Sequence, residues 1–256
     1  MTHVAVAQSP VRENQKDHAH GELLTVPVFG FERFSLGRKI IASNKKTLAS
    51  SSMPALEVNA VLNAEHHTIK IRNNDHEYPT KITGRKLKGS VILVNGENYI
   101  SLVIYKNGIM YSRSVCVLIR CSVRRSRLRF EIIWSEKAIV DLHVDDGKGG
   151  KHCYYGRQKV VTQGWNMMID GAEGGLDLAA ITGEGPMSIR VFEAPSGSKI
   201  RCYVNYYSGR TNQEVTVRLF QDETLTNVYT HSFNQRDIKA TSTVHEKSWV
   251  VEEYPW

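Results

Sequence analysis

The chain has 256 residues, of which 41% are hydrophobic and 23% charged, with a formal net charge of +7 at pH 7. That is the balance of a globular protein long enough to bury sizeable cores, and it excludes a disordered chain. No stretch reaches the ~18 to 20 apolar residues of a membrane-spanning helix, and the opening MTHVAVAQSPVRENQKDHAH lacks the basic and apolar regions of a secretory signal.

Charge is divided unevenly. Residues 1–129 carry 20 Lys and Arg against 9 Asp and Glu, a net +11, whereas residues 130–256 carry 13 against 17, a net −4. The two halves can attract one another between copies, or the basic half can face an acidic partner. The four cysteines, Cys116, Cys121, Cys153 and Cys202, lack the spacing of a structural zinc site and read as buried free thiols.

Residues 1–52 hold short apolar fragments at 23–26 and 29–34 without a sustained period, which predicts an N-terminal arm carrying one strand. The stretch KKTLASSS at 45–52 has linker composition. From 53 to 126 the chain reads as short strands bounded by turns. Asn95-Gly96 and Asn107-Gly108 each predict a hairpin, because both central positions of a type I′ turn need positive φ.

From 127 onwards the pattern stays β. Leu128, Phe130, Ile132 and Trp134 alternate with Arg127, Arg129 and Glu131, which predicts a half-buried strand. The run Ile139 to Val144 places Asp141 and His143 on one face and ends in Asp145-Asp146-Gly147. Further strands are predicted at 165–169, 176–181, 188–193, 199–207, 214–220 and 227–233, and the aromatic C-terminus reads as an edge strand. The expected fold class is all-β: two tandem β-sandwich domains, Ig-like at 53–126 and jelly-roll or Ig-like at 127–256, behind the arm.

Two resemblances bear on this reading. The passage VNGENYISLVIYKNGIMYSRSVCVLI resembles the last two strands of bacterial immunoglobulin-like repeats. The second half is similar to the YfaP-type bacterial β-sandwich family of unknown function. The matching residues are Trp134, Asp141-Leu142-His143-Val144, Tyr154-Tyr155-Gly156, Gly174-Gly175-Leu176-Asp177, Gly183, Gly185-Pro186 and Val204-Asn205-Tyr206-Tyr207. Ile139, Ala179 and Met187 stand where that pattern has acids, which removes three oxygens from any cation set it implies.

Asp141, His143 and Asp145 at alternate positions, with Asp177 approaching from elsewhere, form the candidate site for a divalent cation; no other cofactor is expected. The structural alternative is that Asp141 and His143 bond to backbone or to each other. Cys153 follows His152, but adjacent strand residues point to opposite faces, so the two are not expected to meet. The histidine pairs His66-His67 and His18/His20 read as solvent-exposed. Gly147 to Gly150 lacks the frame of a phosphate loop.

Arg124, Arg125, Arg127 and Arg129 form the candidate partner-binding strand. Alternation sets Arg125, Arg127 and Arg129 on one face, and no aromatics are interleaved there, which favours protein contact over nucleic acid. The functional expectation is a non-enzymatic structural or interaction protein, oligomeric, cytoplasmic or part of a virion, in a large bacterial or phage assembly. A carbohydrate- or envelope-binding module using Trp165, Tyr154, Tyr155 and Tyr206 is the alternative. A hydrolase built on Asp141, His143 and Asp177 is the third.

Overall fold

The computed structural model describes residues 25–28, 31–36, 55–62, 68–113, 117–121, 124–134, 138–169, 186–209, 212–238, 243–244 and 246–256. The protein is all-β, with antiparallel sheets and one short 3₁₀ turn at Gln235–Asp237 among the described residues. None of their helices is long and apolar enough to cross a membrane. The predicted strand at 176–181, the linker at 45–52, Cys116 and the histidine pairs His66-His67 and His18/His20 lie outside the described residues.

The first sheet runs β1 (Thr25–Val28), β2 (Phe31–Leu36), β3 (Ala55–Leu62), β7 (Lys86–Ile92), β6 (Thr80–Thr83). The second runs β10 (Val117–Cys121), β8 (Gly96–Lys106), β4 (Thr68–Asn73), β5 (His76–Tyr78), with β9 (Ile109–Arg113) also on β8. Val58, Ile71, Leu87, Val91, Ile100 and Leu102 form the core of this pair. The predicted one-strand arm supplies two strands, since β1 pairs with β2 and β2 with β3. Fragments of four and six residues are too short to show a period and gain their order from pairing.

The remaining strands form a six-stranded sheet: β14 (Lys159–Thr162), β15 (Trp165–Ile169), β16 (Met187–Glu193), β11 (Leu128–Trp134), β18 (Gln213–Gln221), β19 (Thr224–Phe233). A four-stranded sheet accompanies it: β13 (His152–Cys153), β12 (Ile139–Asp145), β17 (Lys199–Ser208), β20 (Trp249–Pro255). Phe130, Trp134, Leu142, Ile189, Val204 and Val217 lie in their shared core. The C-terminal β20 is the predicted edge strand.

β11 is not half-buried as its alternation predicts; every residue in it is buried. It lies inside the six-stranded sheet, and its second face meets the first unit, where Ile133 joins the first core and Tyr78 donates to Glu131.

The two Asn-Gly signals part ways. Asn107 (φ 53°) and Gly108 (φ 76°) make the β8–β9 hairpin as expected. Asn95-Gly96 makes none, because β7 and β8 belong to different sheets and the chain turns a corner between them. Asn98 holds that corner: its Oδ1 accepts from the Val94 amide at 2.8 Å, and its Nδ2 donates to the Val94 carbonyl at 2.9 Å. The buried Asn73 side chain donates to Asn98 Oδ1 at 3.0 Å and to the Ile92 carbonyl at 2.9 Å. These bonds satisfy backbone groups that the corner takes out of both ladders.

Candidate functional site

Alternation along β12 sends Val140, Leu142 and Val144 into the core and sets Asp141, His143 and Asp145 on the other face, where all three are nonetheless buried. Opposite them on β17 stand Asn205, Tyr203 and Arg201. The structure brings Asp141 and His143 together, with Oδ2 3.4 Å from Nε2. His143 Nδ1 is 2.9 Å from His152 Nε2, and that same nitrogen is 3.0 Å from the Tyr203 hydroxyl.

The two imidazole planes differ by 26°, with centroids 5.1 Å apart, the spacing of two nearly coplanar rings meeting nitrogen to nitrogen. A lone pair and an N–H therefore point along one line, which is hydrogen-bond geometry. A metal held by both nitrogens would need their lone pairs to converge on one point about 2.0–2.1 Å from each. Burial pushes the Asp141 carboxyl up to about 7, with the backbone amides of Tyr155 and Leu142 pulling the other way.

Asp145 does not join this pair. Arg201 donates to both its oxygens, Nε to Oδ1 at 3.1 Å and Nη2 to Oδ2 at 2.6 Å, and the Gly147 amide adds a third bond at 2.8 Å. The carboxylate of Asp145 is thus taken up by the arginine fork and the turn amide. Asp177 lies outside the described residues. Among the described residues no group of three His, Cys, Asp or Glu side chains is arranged to hold a metal ion.

The glycine-rich turn closes on its own acid. Asp146 accepts from the amides of Lys148, Gly150 and Lys151 at 3.0, 3.0 and 3.1 Å. Burial pushes this carboxyl up, but those amides outweigh it and hold it below its ordinary value. Cys153 faces the core, its thiol 3.5 Å from the Gln158 carbonyl, and burial pushes it far up; Cys202 is shifted the same way. Such thiols are poor nucleophiles.

The arginine strand splits. Arg124 is exposed, pairs with Glu193 at 2.6 Å and covers Phe192. Arg125 is exposed, and Arg127 lies over the Trp256 ring with its guanidinium carbon 4.4 Å from the centroid. Arg129 is not on that surface: it is 1% exposed, its Nη1 is 2.5 Å from Glu131 Oε2, and it lies over Phe220 at 3.6 Å. The expectation of a partner-binding Arg129 is therefore corrected, because the first unit closes over this face of β11.

Around Arg129 is a buried network that sequence reasoning missed. Arg218 donates to Glu131 Oε1 at 3.1 Å and to the Glu77 carbonyl at 2.7 Å, so it ties β18 to β5. Arg190 donates to Glu223 Oε1 and to the Arg124 carbonyl, each at 2.9 Å. Glu223 sits with Asp222 in a hairpin turn at φ 68° and 47°, positive values that a sequence without glycine does not announce. A charge placed within an apolar strand, as in VTVRLF, was the available signal.

Of the aromatics considered for carbohydrate, Trp165 is 7% exposed and Tyr206 1%, so neither offers a stacking face, while Tyr154 and Tyr155 are half-buried. The exposed apolar residues lie elsewhere. At the β8–β9 hairpin Ile109 is 74% exposed, Met110 54% and Tyr111 67%, with Lys106 over the Tyr111 ring. β9 pairs only with β8 among the described residues. No family model matches the chain.

Proposed function

We propose that this is a non-enzymatic structural protein whose copies associate through strand edges, as a subunit of a larger bacterial or phage assembly. The observation that carries the reading is the β9 tip. Three consecutive large apolar side chains stand exposed on a strand that pairs only with β8 among the described residues, flanked by Lys106 and Arg113. Isolated exposed apolar residues are ordinary, whereas a contiguous patch on a free edge marks an interaction surface.

The occupant is a second copy. The tip belongs to the half carrying +11, and the half carrying −4 offers it an acidic complement. Support for a non-catalytic role comes from the groups best able to do chemistry: Asp141, His143 and Cys153 are all buried and make their contacts within the fold.

The test replaces Ile109, Met110 and Tyr111 together by Ser. The mass in solution should fall by the contact that the tip makes, with the unfolding transition unchanged. An unaltered mass would remove the tip from the interface.

A further inference from the structure

The described sheet edges are not alike. β20 carries Glu252, Glu253 and Pro255 on its seven residues, and β6 is four residues with Lys81 among them. β14 is also four residues and begins at Lys159. Shortness, charge and proline are among the devices that keep an edge from pairing, as are bulges. β19 has none of the first three; its one irregularity is a bulge at Thr226, where Leu219 pairs with Asn227 and Phe220 with Leu225. Its ten residues, TLTNVYTHSF, include no formally charged side chain, no proline and no glycine, in a chain that is 23% charged. It ends the six-stranded sheet and pairs only with β18 among the described residues.

We infer that β19 pairs with β19 of a second copy, antiparallel, about a two-fold axis at Val228. A strand meeting itself must be complementary to itself. On the exposed face Val228, 56% exposed, meets its own mate, an apolar contact between identical side chains. No like charges oppose along the strand. At its ends the arrangement brings the exposed Asp222 turn of one copy against the exposed Arg236 turn of the other, twice by symmetry. The six-stranded sheet continues as twelve strands, and its open edge is closed.

This contact uses a different edge from the β9 tip and deepens the same reading of an associating protein. The test is therefore made in full-length protein already carrying the triple serine replacement at 109–111. In that background Val228→Lys should halve the mass measured by light scattering. Val228→Cys should give a disulfide-linked dimer on mild oxidation, because directly opposed antiparallel positions bring Cα atoms to about 4.5–5.5 Å. Both substitutions sit at an exposed position, so an unchanged thermal transition confirms the fold. A triple variant that is already monomeric overturns the β19 contact and leaves the tip standing. A mass that stays dimeric with Val228→Lys, or no cross-link from Val228→Cys, overturns it as well. A triple variant of undiminished mass that Val228→Lys halves supports β19 and removes the tip.

Discussion

Glu131 and Arg218 meet at 3.1 Å between the two cores, and because Arg218 also donates to the Glu77 carbonyl, one ion pair links β11, β18 and β5. Glu131 is fully buried and its other oxygen is 2.5 Å from Arg129. Its charge is thus shared between two guanidinium groups, one of them 1% exposed.

Replacing Glu131 by Gln removes the closer of the two carboxylates beside the buried Arg129 and leaves only Glu223, 3.9 Å from its Nε. Breaking a buried pair by removing one partner costs about 3–5 kcal/mol. The denaturant midpoint should fall accordingly, with a loss of the contacts around Tyr78 and Arg218. A change below about 1 kcal/mol, the value of an exposed pair, would contradict the burial described.

The corner between β7 and β8 depends on one side chain. Asn98→Ala removes an acceptor for the Val94 amide and for Asn73, and donors for the carbonyls of Val94 and Gly96. Leaving buried polar groups unpaired costs about 1–3 kcal/mol each. Equilibrium unfolding should show a loss of at least that size; a change within about 0.5 kcal/mol, the range of an ordinary surface substitution, would contradict the network.

Asp141 makes stability depend on pH in the direction opposite to a salt-bridged acid. Its carboxyl titrates near ~3.9 in an unfolded chain and at about 7 in the fold. Between those values the folded state keeps a proton that the unfolded state has lost, so the contribution of Asp141 to stability is full below about pH 4 and is lost as pH rises to about 7. Asp141→Asn, uncharged throughout, should flatten that decline by a few kcal/mol, because each tenfold difference in proton affinity between the two states is worth about 1.4 kcal/mol. Chemical unfolding of both proteins across the range measures it; parallel curves would show that Asp141 is ionised normally.

Cys121, Cys153 and Cys202 are free and buried, and burial raises the thiols of Cys153 and Cys202. In a Cys116→Ser background a thiol-labelling reagent should react only as fast as the protein opens. Rapid labelling of the native protein would contradict the burial of β13 and β17.

Period-two alternation made the strands legible because each carries its apolar residues toward one core. Trp165–Ile169 is the clearest case, where the predicted and observed bounds coincide. Asp141 and His143 on one face were legible for the same reason. What alternation does not carry is the burial of the second face. β11 reads as amphipathic, yet Arg129 and Glu131 lie under Tyr78, a residue more than fifty positions earlier. Nor does it carry topology: Asn95-Gly96 has the composition of a hairpin, and only Asn98 and Asn73 make it a corner between sheets. His152 joins His143 because β13 folds back beside β12, a two-residue strand too short to leave a pattern.

The most direct measurement is the mass of the full-length protein by light scattering as concentration rises. Association through its strand edges predicts a mass at multiples of the 28.9 kDa chain, falling when charge is placed on those edges. A mass of one chain at every concentration would contradict it.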